Sequence, residues 1–255
     1  MKDFIQENVD IKLELKVKCK IYTPQTKESE GIFFFIHGGI FTKGNHEEGE
    51  SICKILCQNN YHVIAMNYRQ GPYNNHPTAT DDITSIIEYF LKDNKGKQVG
   101  IVGVSSGGWY TINLINKFDF DFCILIAPVP SIQKRQEYLE NCIAGTFNNK
   151  TYSEKDNFQY HTKEDASRIK KHQENYFKGE KIKEIDTYWL NKPKTLLIYG
   201  EYDKNIPLIL MEPLVKEILK NKNNKIYCIE KADHKTLCTL EFSNASSIIT
   251  DFLMG

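Results

Sequence analysis

Five stretches of this sequence are apolar almost without interruption: Ile32-Phe33-Phe34-Phe35-Ile36, Val63-Ile64-Ala65-Met66, Val99 to Val104, Phe122 to Ala127 and Thr195 to Tyr199. A strand with one wet face alternates; runs this continuous fit strands covered on both faces, as in a parallel sheet between layers of helix. Helical periodicities fill intervals between them at Ser51 to Gln58, Ala79 to Leu91 and Gly107 to Asn116. The order is therefore strand, helix, strand, helix, with right-handed crossovers expected. This predicts an α/β fold with a mostly parallel central sheet and helices on both faces. After Tyr199 the rhythm continues with a helix from about Pro207 to Leu219, a strand Lys225 to Glu230 and a closing helix from about Cys238 to Phe252.

Two segments depart from that rhythm. From 11 to 22, Ile11, Leu13, Leu15, Val17, Cys19 and Ile21 alternate with Lys12, Glu14, Lys16, Lys18 and Lys20, the pattern of one strand with a single buried face. From Ser131 to about Leu190 the chain is polar and charged, with helix-like pieces and aromatics at Tyr138, Phe147, Tyr152, Phe158, Tyr160, Tyr176, Phe177, Tyr188 and Trp189. Because it falls between two buried strands, it reads as an insertion over the sheet, a cap at 131–190 within one domain spanning 1–255. Its aromatics divide between lining a pocket and holding the cap to the body.

Charge and cysteine usage exclude several functions. Lys+Arg and Asp+Glu both number 33, and the only arginines are Arg69, Arg135 and Arg168. A domain that tracks phosphates needs an excess of positive charge, and arginine forks to recognise them, so no nucleic-acid partner is expected and the lysines read as solvated surface. Residues 1–10 hold no apolar run, and no later run approaches the roughly 18 apolar residues of a membrane span. The expectation is a soluble, cytoplasmic protein with no membrane partner. Seven scattered cysteines, an odd number, form no disulfide framework. Cys53 and Cys57 lie one helical turn apart in an apolar stripe with Ile52 and Leu56, which reads as core packing in place of half a zinc site.

The chemistry is concentrated in Gly103-Val104-Ser105-Ser106-Gly107-Gly108, directly after one apolar run and directly before a helix. A strand turning abruptly into a helix lifts the side chain at the bend above the sheet, here that of Ser105. A serine hydroxyl needs a base to take its proton, and the base needs a third group to hold its tautomer. Asp203 and His234 follow the runs ending at Tyr199 and Glu230, at the carboxyl end of the sheet where open α/β folds place their sites. Glu201 is the rival acid; Asp203 is preferred because the turn after it leads through Ile206-Pro207 into a helix. Among the histidines, His62 opens a strand, while His46, His76, His161 and His172 lie in polar loops or the insertion. His37 ends a buried strand before Gly38-Gly39-Ile40. Its expected task is to brace that loop, so that the N–H groups of Gly39, Ile40 and Ser106 face a developing oxyanion.

Taken together, His37-Gly38-Gly39, Asn67-Tyr68-Arg69, His76-Pro77 with Ala79 and Asp82, the Gly103 to Gly108 run, Asp203 and His234 resemble the α/β-hydrolase superfamily. Within it they are most similar to hormone-sensitive-lipase-type esterases, small carboxylesterases and kynurenine-formamidase-like enzymes. The resemblance runs from about Gly31 to the C-terminus. It implies a serine nucleophile, an acid after the next-to-last strand, a histidine after the last and a variable cap before the acid. Two positions depart from the lipase-type pattern: Ile40 stands where a third glycine is usual, and Ser106 where an alanine is. The resulting expectation is hydrolysis of a small, soluble acyl ester by Ser105, His234 and Asp203, with no metal or organic cofactor. An amide hydrolase of the formamidase or small peptidase type, a non-catalytic relative, and pairing of the chain with a second copy stay open. A nucleotide-binding reading of the same strand, turn and helix lacks the G-x-G-x-x-G spacing.

Overall fold

Among the described residues the sheet has eight strands: β1 (Phe4–Ile11), β2 (Val17–Pro24), β3 (Gly31–Ile36), β4 (Tyr61–Met66), β5 (Gln98–Val104), β6 (Phe122–Ile126), β7 (Lys194–Gly200) and β8 (Lys225–Ile229). Their spatial order is β1-β2-β4-β3-β5-β6-β7-β8. This computed structural model describes residues 4–11, 17–26, 28–94, 96–115, 117–146, 160–178, 182 and 192–255. The five continuous runs are β3 to β7, and with β8 they pair in parallel. The first two strands pair antiparallel, β1 with β2 and β2 with β4.

Eight helices complete the described fold: α1 (Glu50–Gln58), α2 (Thr78–Leu91), α3 (Ser106–Leu114), α4 (Ile132–Ala144), α5 (Lys163–Phe177), α6 (Leu208–Ile218), α7 (His234–Thr239) and α8 (Ala245–Met254). Each buried strand divides its side chains between two cores. In β3, Ile32, Phe34 and Ile36 join α2, α3 and α6 on one face, while Phe33 and Phe35 join α1, α7 and α8 on the other. This double coverage explains why the strands read as unbroken apolar runs. Cys53 and Cys57 lie in the second core beside Ile52 and Leu56, where burial pushes the Cys57 thiol up to about 11 and that of Cys53 well above its ordinary value. Among the described residues no helix is long and apolar enough to cross a membrane.

Two expectations are corrected, and one cannot be followed to its end. The alternation over 11–22 is not one strand: Ile11 ends β1, Val17 begins β2, and the two form an antiparallel pair. Lys12 to Lys16 lie outside the described residues. A period of two does not by itself tell one long strand from two short ones. In β2 the inward set is as expected, Val17 and Cys19 buried against exposed Lys18, but Tyr22 is also buried, on the opposite face under α1. The closing helix is divided. Leu240 takes a left-handed conformation with φ 57°, ending α7, and α8 starts afresh after Asn244 at φ 67°. Lastly, Asn116, the expected end of α3, lies outside the described residues.

The loop leaving β4 is tied to α2 by an ion pair. The Asp82 side chain is fully buried and accepts the Arg69 backbone N–H at 2.9 Å, its Nε at 3.0 Å and its Nη2 at 2.6 Å. The guanidinium is 44% exposed, so its loss strands a buried carboxylate that water reaches poorly. Arg69→Met is expected to cost about 2 kcal/mol, the low side for breaking such a pair because the arginine is half in water. Thermal unfolding followed by circular dichroism should show a melting point lower by about 4 to 8 °C in a chain of this size. An unchanged melting point would mean the pair is only a surface contact.

Candidate active site

Ser105 occupies the bend between β5 and α3 with φ 53° and ψ −119°, a region non-glycine residues rarely enter. Its backbone is pinned on three sides: its N–H donates to the Ile126 carbonyl at 3.0 Å, and its carbonyl accepts from Gly108 at 3.0 Å and Val129 at 2.9 Å. The bend brings α3 so close to β3 that a Cβ on Gly107 would lie 2.2 Å from the Ile36 carbonyl oxygen. The glycine is therefore required by packing, and it lets the first turn of α3 sit under the strand end.

His234 is the first residue of α7, whose N-cap Asp233 accepts the Thr236 N–H at 2.8 Å. Its Nε2 lies 3.0 Å from Ser105 Oγ and its Nδ1 2.7 Å from Asp203 Oδ2. The other carboxylate oxygen of Asp203 accepts the N–H groups of Asn205 and Ile206, each at 2.9 Å. That arrangement fixes the carboxylate, which then fixes the imidazole. Burial opposes a charge on His234, but the Asp203 carboxylate and Cys238 together outweigh it and raise the imidazole above its ordinary value. Glu201, the rival acid, accepts the Lys231 N–H at 3.0 Å and so braces the loop leading to His234.

The loop after β3 carries three successive positive φ values: Gly39 at 119°, Ile40 at 55° and Phe41 at 66°. At Gly39 a side chain is impossible, since its Cβ would meet the Lys43 carbonyl oxygen at 1.8 Å. Phe41 is held in place by its ring, which stacks on Tyr176 at 5.4 Å and meets Phe177, Trp109 and Tyr110 edge-on at 5.1, 5.8 and 5.7 Å. A left-handed residue costs about 1 to 2 kcal/mol, whereas burying a phenylalanine contributes about 2 to 3 kcal/mol. Packing outweighs the strain. His37 stacks on Tyr68 at 4.3 Å, and the Tyr68 hydroxyl donates to the His37 carbonyl at 2.7 Å. Its Nδ1 meets the Gly38 carbonyl at 2.7 Å, and burial pushes the ring down to about 4. His37 is thus a neutral brace, as expected.

Ser105, His234, Gly38, Gly39 and Ile40 line one cavity of about 370 Å³. Of the aromatics expected in the insertion, Phe147, Tyr152, Phe158, Tyr188 and Trp189 lie outside the described residues. Those that are described pack: Tyr176 and Phe177 against Phe41, Tyr138 through its hydroxyl to the Lys204 carbonyl at 2.9 Å, and Tyr160 beside the Tyr138 ring at 6.4 Å. The side chain that α4 contributes to the cavity is Arg135, which the sequence reading did not single out. Its signal was available, because it interrupts the inward stripe Ile132, Leu139 and Cys142. His46 and His161, expected in polar loops, are buried.

A family model described as alpha/beta hydrolase fold matches residues 33–207, about two thirds of the chain. The sequence is 32% identical over 84 residues to a kynurenine formamidase of Meyerozyma guilliermondii, covering 32% of each chain. It is 27% identical over 97 residues to an acetyl esterase of Salmonella schwarzengrund, covering 36% of this chain and 30% of that one. The chain thus spans about a third of the length of these curated relatives. Among solved structures, that of EstE5 soaked with p-nitrophenyl butyrate superposes with a TM-score of 0.74 at 14% identity, over 99% of this chain and 83% of that one.

Proposed function

The chain belongs to the alpha/beta hydrolase fold family, and from that premise we propose that it is a serine hydrolase cleaving a small carboxylic ester through an acyl-enzyme. The observation that carries this reading is the unbroken relay from Ser105 Oγ through His234 to Asp203, at 3.0 and 2.7 Å. Ser105 Oγ attacks the acyl carbonyl as His234 Nε2 takes its proton, and Asp203 holds Nδ1–H and steadies the imidazolium. The oxyanion that forms accepts the N–H groups of Gly39, Ile40 and Ser106. Collapse returns the proton to the departing alcohol. Water then repeats the sequence on the acyl-enzyme, releasing the acid and restoring Ser105. These steps need no metal or organic cofactor.

In this reading the segment 131–190 is a cap, with α4 forming one wall of the site. Ile40, at the position of a usual glycine, narrows the cavity on the acyl side and favours short acyl groups. Similarity to a formamidase favours a second reading, attack on an N-formyl amide by the same groups. A fluorophosphonate probe followed by peptide mapping is expected to label Ser105; an intact protein left unlabelled would overturn the hydrolase reading. Rates on a small ester and on its matching N-formyl aromatic amide then separate the two substrates.

A further inference from the structure

The three arginines have three different settings. Arg69 is forked onto the buried Asp82, and Arg168 pairs with Asp165 at 3.1 Å on the surface. Arg135 is 2% exposed and has no counter-ion among the described residues. Its Nη1 meets Gln173 Oε1 at a long 3.4 Å, its Nε is buried with no partner, and it lines the cavity with Ser105 and His234. Gln173 is itself held by a bond from its Nε2 to the Ile132 carbonyl at 3.0 Å.

Among the described residues no acid pairs with this guanidinium. Asp203 attracts it, but one Asp203 oxygen is taken by His234 and the other by two backbone N–H groups. His161, which feels the charge of Arg135, is pushed down to about 4, first by burial and then by Arg135, and its uncharged ring supplies no counter-charge. Burial accordingly pushes Arg135 itself down to about 10. A buried charge without a partner is costly to retain. A planar fork of donors matches a carboxylate in bidentate fashion. Lys43 and Lys235 also line the cavity, against Glu48 as the acid there, so its field favours an anion.

We infer that Arg135 is the specificity residue of this site, and that the ester it serves carries a free carboxylate which pairs with the Arg135 guanidinium while Ser105 attacks the ester carbonyl. This rests on the hydrolase reading above, and the measurements separate the two. Methyl half-esters of succinate, glutarate and adipate are compared with the corresponding carboxamide-capped methyl esters, which have the same shape without the charge. Acetoxyacetate and acetoxyacetamide make the same comparison with the carboxylate on the alcohol side. The intact protein is expected to prefer the carboxylate in at least one set by tenfold or more in kcat/KM. In Arg135→Gln that ratio collapses toward one, and in Arg135→Lys part of it survives. If the native protein shows no preference in either set, the inference is overturned, whatever the variants do. If Arg135→Gln slows charged and uncharged esters equally, Arg135 only steadies Asp203, and the inference is likewise overturned. If no ester is turned over and Ser105 takes no probe, the hydrolase reading fails by itself. Calorimetric titration of the native protein with glutarate then decides: binding that weakens at least tenfold in Arg135→Gln upholds the carboxylate site, and its absence refutes it.

Discussion

Replacing Ser105 with alanine is expected to lower turnover of a small p-nitrophenyl ester by about 10⁴- to 10⁶-fold, since the nucleophile and its base act as a unit. The fold should survive. The backbone at Ser105 is held by bonds to Ile126, Gly108 and Val129 that do not involve its hydroxyl, and alanine adds nothing at that bend. Thermal unfolding within a few degrees of the native protein, together with loss of activity, is the expected pair of results. Activity within tenfold of native in a folded Ser105→Ala protein would show that another group attacks the carbonyl.

The second large effect concerns Asp203. Asp203→Asn is expected to cost about 10⁴-fold in kcat, because an amide facing Nδ1 no longer fixes the tautomer that leaves Nε2 free to accept. A change in pH dependence should accompany the loss. In the native site burial works against the imidazolium, and Asp203 with Cys238 more than reverses it, so the folded imidazole titrates above its ordinary value of about 6.5. The base must be unprotonated, so kcat/KM should rise with pH through a midpoint above that value. In Asp203→Asn the carboxylate's contribution is gone and burial is opposed by Cys238 alone, so the midpoint of the residual activity should fall below the native one. Stability has the opposite sense. A group whose pKa is raised on folding contributes fully below its unfolded value and ceases to contribute as pH rises through the folded one. The native protein should therefore lose stability over the window in which it gains activity, and denaturant midpoints measured beside the rates test this. A native rate constant from pH 5 to 8 would argue against His234 as the base.

Much of the fold was legible because its signals are local. The five apolar runs could be identified because each strand is covered on both faces, and the Ser105 bend because Gly107 cannot carry a Cβ against Ile36. Asp203 and His234 followed from their places after β7 and β8. Other features depended on contacts distant in sequence. The strand β1 carries Gln6, Glu7, Asn8 and Asp10, a polar set that looks like loop until β2 pairs with it. The break between α7 and α8 turns on a left-handed Leu240, a residue type with no sequence signature for that conformation. Arg135 is legible only through the apolar stripe it interrupts, which faces inward.

The aromatic cluster around Phe41 joins parts of the molecule that the chemistry treats separately. Tyr176 and Phe177 close α5, Trp109 and Tyr110 belong to α3, and all four grip a ring whose neighbour in the chain is Ile40. The place of Phe41, and with it the backbone of the loop after β3, is thus set jointly by α3 and α5. The loop beside Ser105 and the helix α5, far apart in the sequence, therefore hold their shapes together.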